Sequence, residues 1–135
     1  MAEPKRAVAR RGEGYTHDVE VRGHSVVADE PESAGGKDRG PSPTEYLAIA
    51  LSSCTAITVE MYADRKGWDL GELEVVADFT QARGETDHFE VTIKLRGGLS
   101  EDQTQRIKAI AGKCPVHRTL AAEAEVSIVD RVEAQ

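Results

Sequence analysis

Cys54 and Cys114 are the only two thiols in this chain of 135 residues. Cys114 opens a compact segment, Lys113-Cys114-Pro115-Val116-His117-Arg118-Thr119-Leu120. Pro115 suits the first position of a short helix, with Cys114 near its N-cap, where exposed backbone N–H groups stabilise a thiolate. His117 and Arg118 could add positive charge nearby. Cys54 falls well inside a long apolar segment, where the bland reading is a small buried hydrophobe. Taken together, the two sulfurs suit a redox pair. A metal site competes, because Cys114-x-x-His117 has ligand-like spacing and Cys54 could be a third donor. A structural zinc usually takes four protein ligands, and His17, His24 and His88 sit on separate predicted strands. Serine and phosphate chemistry have less support: Ser52-Ser53 has no nucleophile-elbow glycines, and Gly35-Gly36 lacks the phosphate-loop pattern.

The length fits one domain, residues 1–135, with an ordinary core. A formal charge of −7 argues against a nucleic-acid surface, since phosphate binding needs a concentrated basic face. Lys5, Arg6, Arg10 and Arg11 are closely followed by Glu13, Asp18 and Glu20, so residues 1–14 read as a partly flexible, solvated arm. No apolar run approaches the roughly 20 residues of a membrane helix, and no signal-peptide core is visible. The expected location is the cytoplasm, where disulfides are usually transient and catalytic or redox-sensing. One Trp and two Phe imply a mainly aliphatic core.

The elements that must position the thiols follow from local signals. Residues 6–29 read as strands, with Gly23 at a turn. Residues 30–42 form a Gly/Pro-rich loop. Ser42-Pro43-Thr44-Glu45 is a strong helix start: Ser42 fits the N-cap, Pro43 the first turn, and Glu45 the reciprocal partner of a capping box. That helix should run to about Lys66 and stop at Gly67. Leu47, Leu51, Cys54, Thr58 and Met61 recur on one face of it. Leu73-Val75-Ala77-Phe79 and Phe89-Val91-Ile93-Leu95 alternate with mostly polar positions, predicting a half-buried antiparallel hairpin. A second helix starts at Ser100, with Gln103 completing another capping box and Ile107, Ile110 and Ala111 buried. It ends at Gly112. A last strand is expected around Val126 and Ile128. The class is α+β rather than alternating parallel.

Four stretches then carry a resemblance. They are Gly40-Pro41-Ser42-Pro43-Thr44-Glu45-Tyr46-Leu47, Leu51-Ser52-Ser53-Cys54-Thr55, Met61-Tyr62-Ala63-Asp64-Arg65-Lys66-Gly67-Trp68, and the segment from Lys113 to Leu120. From about Arg22 to Ile128 the chain resembles the OsmC/Ohr superfamily, named for osmotically inducible protein C and organic hydroperoxide resistance protein. The resemblance implies an OsmC-like fold and an intertwined homodimer. It also implies thiol-dependent reduction of organic hydroperoxides in oxidative stress defence, with no cofactor. Cys54 matches the peroxidatic cysteine, which becomes a sulfenic acid, and Cys114 the resolving one, which closes a disulfide. An external dithiol would then reduce it. The expected partners are an organic hydroperoxide or another small apolar ligand, that dithiol, and a second copy of the chain. Nucleic acid and membrane are not among them.

One departure matters. In well-studied peroxidase relatives, a glutamate at the second helical position pairs with an arginine that activates the thiol. Here that position is Thr44, and Glu45 follows one residue, about 100° of helix, later. Arg10, Arg11 and Arg22 lie in the right broad region, but none sits in an alignable motif. Arg65 shares the helical face of Cys54 but lies about 16 Å along the helix. Complete ionisation of a thiol gains only about 30-fold, near 2 kcal/mol. Further acceleration needs groups that polarise the departing oxygen. A binding or redox-sensing protein without efficient peroxidase activity is therefore the alternative.

Overall fold

A computed structural model describes residues 2–123 and 125–134. The fold is α+β, with a long α-helix, two further α-helices, one short 3-10 helix (Glu32–Ala34) and five strands among the described residues. It divides into two compact units, Met1–Ala48 and Ile49–Gln135.

The first unit is an antiparallel meander of β1 (Ala7–Arg11), β2 (His17–Val21) and β3 (His24–Ala28), in that order. Val21 pairs with His24, leaving Arg22 and Gly23 as a two-residue turn, both with positive φ (48° and 79°). That turn matches the right-handed twist of the strands it joins. β1 lies inside the segment read as an arm: residues 7–11 are paired to β2 in register from Ala7–Val21 to Arg11–His17. The loop after β3 is organised by Asp29, only 2% exposed. Its carboxylate accepts from the Thr16 hydroxyl (2.6 Å) and from the backbone N–H groups of Glu30 (2.7 Å), Lys37 (3.4 Å) and Arg39 (3.2 Å). The chain closes so tightly here that a Cβ on Gly36 would lie 1.9 Å from the Glu30 carbonyl oxygen. Tyr46 then donates its hydroxyl to the Val27 carbonyl.

α1 spans Pro43–Lys66. Its start is the expected capping box: the Ser42 N–H donates to Glu45 Oε1 (2.8 Å) and the Glu45 N–H to Ser42 Oγ (3.3 Å). It stops where expected, at Gly67 with φ 71°, the left-handed conformation glycine adopts without penalty.

In the second unit β4 (Leu73–Thr80) and β5 (His88–Leu95) form the predicted hairpin, with Val75 opposite Ile93, Ala77 opposite Val91 and Phe79 opposite Phe89. α2 (Glu101–Ala111) carries its capping box between Ser100 and Gln103. Val59 and Ala63 of α1 join Leu70, Ile107 and Ala111 in the buried core, flanked by Tyr62, Trp68, Leu73, Ile93, Leu95 and Leu99. Ile110 is only half-buried.

Three further expectations need correction. The buried ridge of α1 is Leu51, Thr55, Val59 and Ala63, not the stripe through Cys54. Leu47 and Met61 are exposed, Met61 by 63%, and Cys54 and Thr58 lie at the margin. Alanine and serine surround this helix, so burial follows an i, i+4 row rather than the largest apolar side chains. Secondly, α1 is long and apolar enough to cross a membrane by length and composition, with mean hydropathy 1.3. Its small alanine, serine and threonine residues pass that test without forming a continuous run of large apolar ones. It supplies core residues to the second unit. Thirdly, no strand forms around Val126 and Ile128. Both are exposed, as are Val129 and Val132, and a strand exists only where another strand pairs with it.

Candidate redox site

α3 (Pro115–Leu120) is the short helix that Pro115 announced, and Cys114 is its N-cap. Proline at the first position has no N–H to leave unpaired. The Cys114 sulfur takes the role a serine oxygen usually fills, accepting the backbone N–H of His117 at 3.4 Å. Cys114 is wholly buried, at 0% exposure, whereas Cys54, in the fourth turn of α1, is only partly covered.

Cys54 and Cys114 are joined as a disulfide across a sequence separation of 60, with their Cα atoms 6.0 Å apart. That spacing lies within the range a disulfide spans without backbone movement. The two candidate residues singled out in the sequence are therefore brought together. As a disulfide neither sulfur is a thiolate, so neither is a metal ligand in this state. Among the described residues, no three His, Cys, Asp or Glu side chains converge on a metal-sized site.

A cavity of about 240 Å³ is lined by Leu51, Asp87, Phe89, His117, Leu120 and Ala121, and neither cysteine is among its lining residues. Leu51 precedes Cys54 by one helical turn, and His117 follows Cys114 by one. Phe89 is held by stacking on Phe79, with ring centroids 4.2 Å apart. The lining is mostly apolar, and His117 Nδ1 is buried without a hydrogen-bond partner. The sequence singled out His117 but not Leu51, Phe89 or Leu120. Their signal was present only for Leu51, three residues before Cys54; Phe89 and Leu120 arrive through the tertiary fold.

Three of the four arginines considered in the sequence, Arg10, Arg22 and Arg65, have local partners. Arg10 pairs with Glu20 at 3.4 Å, and the Arg22 guanidinium lies 3.3 Å from the His24 imidazole. Arg65 lies over the Tyr62 ring at 5.8 Å. Arg118, beside His117, is exposed. Glu45 is committed to its cap, and the N–H and hydroxyl of Ser42 hold its carboxyl below the ordinary range. The Thr44 hydroxyl lies 3.3 Å from that of Ser42. The carboxylate and threonine at the head of α1 thus have local partners.

A sequence profile of OsmC-like proteins matches residues 35–129. Several solved structures share the fold. An OsmC-like protein from Mycoplasma pneumoniae is 18% identical, covers 90% of this chain and 89% of its own, and has a TM-score of 0.77. An organic hydroperoxide resistance protein from Legionella pneumophila is 16% identical, with coverage of 88% and 91% and a TM-score of 0.62. Another, from Elizabethkingia anophelis with thiocyanate bound, is 19% identical over 88% and 89%, with a TM-score of 0.64. No functionally curated protein matches the sequence.

Proposed function

The chain belongs to the OsmC-like family, and from that premise we propose that it is a thiol peroxidase reducing organic hydroperoxides through Cys54 and Cys114. The observation that carries the reading is the Cys54–Cys114 disulfide, with Cα atoms 6.0 Å apart. Family membership and this bond together support a redox-related role.

In that reaction the Cys54 thiolate attacks one oxygen of ROOH. The O–O bond breaks, ROH leaves after taking a proton, and Cys54 becomes a sulfenic acid. The Cys114 thiolate then attacks that sulfur, the hydroxyl departs as water with one proton, and the disulfide forms. An external dithiol returns both thiols, so no bound cofactor is needed. The mostly apolar cavity lined by residues one turn from each cysteine, Leu51 and His117, suits the organic part of a hydroperoxide. A reducing cytoplasm would keep the couple poised for the next cycle.

The proposed working form is a homodimer. Ile57 and Met61 on α1, and Val126, Ile128, Val129 and Val132 in the C-terminal segment, are all more than half exposed. A second copy would cover such surface. Light scattering at micromolar concentration should give twice the chain mass; a monomer would refute this assembly.

Stopped-flow reduction of cumene hydroperoxide tests the chemistry. Cys54→Ser should abolish turnover, and Cys114→Ser should permit one attack and leave a sulfenic acid that dimedone traps. Parent-like rates from Cys54→Ser would overturn the mechanism. The second reading, a binding or redox-sensing protein, is favoured by Thr44 in place of the activating glutamate. It would be supported by a peroxide rate no better than that of a free thiol, together with tight binding of an apolar ligand.

A further inference from the structure

The two sulfurs of the disulfide are not equivalent. Cys114 is at 0% exposure and its sulfur already accepts the His117 backbone N–H at 3.4 Å. Cys54 is only partly covered. Thiol–disulfide exchange depends on which sulfur the incoming thiolate can reach and on how well the other leaves as a thiolate. Both factors favour the same direction here. Attack on Cys54 meets the residue that is the more open of the two in the single chain and expels the sulfur that has a hydrogen-bond donor waiting for its charge. Attack on Cys114 would require entry to a closed site and would expel Cys54, which lies too far inside α1 for help from the helix start.

We propose that the disulfide is opened from the Cys54 side only, with Cys114 as the leaving group and the His117 main-chain N–H as the group that positions and stabilises it. The inference rests on the reading of this pair as a redox couple turned over by an external thiol. The incoming thiolate forms a bond to Cys54 Sγ, and the Cys54–Cys114 bond breaks. Its electron pair stays on Cys114 Sγ, which later takes a proton from water. With a dithiol reductant, the second thiolate attacks the reductant's own sulfur in this mixed disulfide. That step releases Cys54 as a thiolate and the reductant as its cyclic disulfide. The intermediate that accumulates with a monothiol is therefore an adduct on Cys54.

The test uses the full-length oxidised protein and 2-mercaptoethanol as the monothiol. Samples are quenched in acid at the earliest times, free thiols are alkylated, and the adduct is located by peptide mass spectrometry. Trypsin separates the two cysteines, because Arg39, Arg65, Lys113 and Arg118 bound their peptides. The same oxidised protein in guanidinium chloride is the reference, with both sulfurs open. The folded protein should carry at least about tenfold more adduct on Cys54 than on Cys114, and the unfolded protein a near-even split. Adduct mainly on Cys114, or the same split folded and unfolded, would overturn the inference. Adduct on Cys54 in a protein that does not turn over cumene hydroperoxide keeps the inference and removes the peroxidase reading. Adduct on Cys114 in a protein that does turn over has the reverse consequence.

Discussion

Thr55 lies on the buried ridge of α1, 1% exposed, and its hydroxyl has no hydrogen-bond partner. A buried hydroxyl without a partner pays its desolvation cost and gains nothing in return. Thr55→Val keeps the shape and removes that oxygen, so it should stabilise the protein by about 1 kcal/mol. Chemical denaturation would show a higher midpoint at unchanged slope, and a lower midpoint would mean that the hydroxyl has a partner in solution. Among the described residues, His117 Nδ1 is the other buried side-chain nitrogen or oxygen without a partner. Unlike Thr55, it borders an open cavity, where a bound molecule could supply its missing hydrogen bond. At this scale the sequence was informative about reactive atoms and silent about their accessibility. Cysteine scarcity and the Cys-Pro start of a helix singled out both thiols. That Cys114 is the more deeply buried of the two depends on residues that only the fold assembles.

Among the elements, the loop after β3 has an acid-sensitive fastening. The Asp29 carboxyl is held down to about 2, from an ordinary 3.8. The Thr16 hydroxyl is the largest cause; burial pushes the other way, and the N–H groups of Glu30, Arg39 and Lys37 lower it further. A folded-state pKa below the unfolded one stabilises the folded form above the unfolded value and is lost as pH falls through the folded value. Asp29 should therefore secure this loop fully above pH 3.8 and release it as pH approaches about 2. The amide NMR signals of Glu30, Lys37 and Arg39 should move together with a midpoint near 2. A midpoint at the ordinary aspartate value would show that the network does not hold. The helix starts were legible because capping boxes are local: Ser42 with Glu45 and Ser100 with Gln103 each close within one turn. The buried face of α1 was not. A helix rich in alanine and serine offers several acceptable faces, and the buried one is fixed in its second half, where Val59 and Ala63 pack with Ile107 and Ala111 of α2 and with Leu73, Ile93 and Leu95 of the hairpin. The strand expected near Val126 failed for the same reason, since alternation alone supplies no neighbour to pair with.

For the molecule as a whole, the disulfide is also a cross-link. Closing a loop over a separation of 60 residues restricts the unfolded chain enough to stabilise the folded one by up to about 4 kcal/mol. The oxidised protein should therefore unfold at a higher denaturant concentration than the reduced one. Equal midpoints would mean that closing the bond strains the native fold by as much as it restricts the unfolded chain. Such a difference makes stability itself follow the redox state, which suits a bond made and broken in a working cycle. The central claim is that one hydroperoxide oxidises this one pair of thiols. The most direct measurement is a titration of the reduced protein with cumene hydroperoxide, counting thiols lost and alcohol released per chain. The account predicts one cumyl alcohol and two thiols lost per chain, with every lost pair recovered as Cys54 linked to Cys114 within the same chain. Thiols that persist under excess hydroperoxide, or that are lost to other products without that bond, would contradict it.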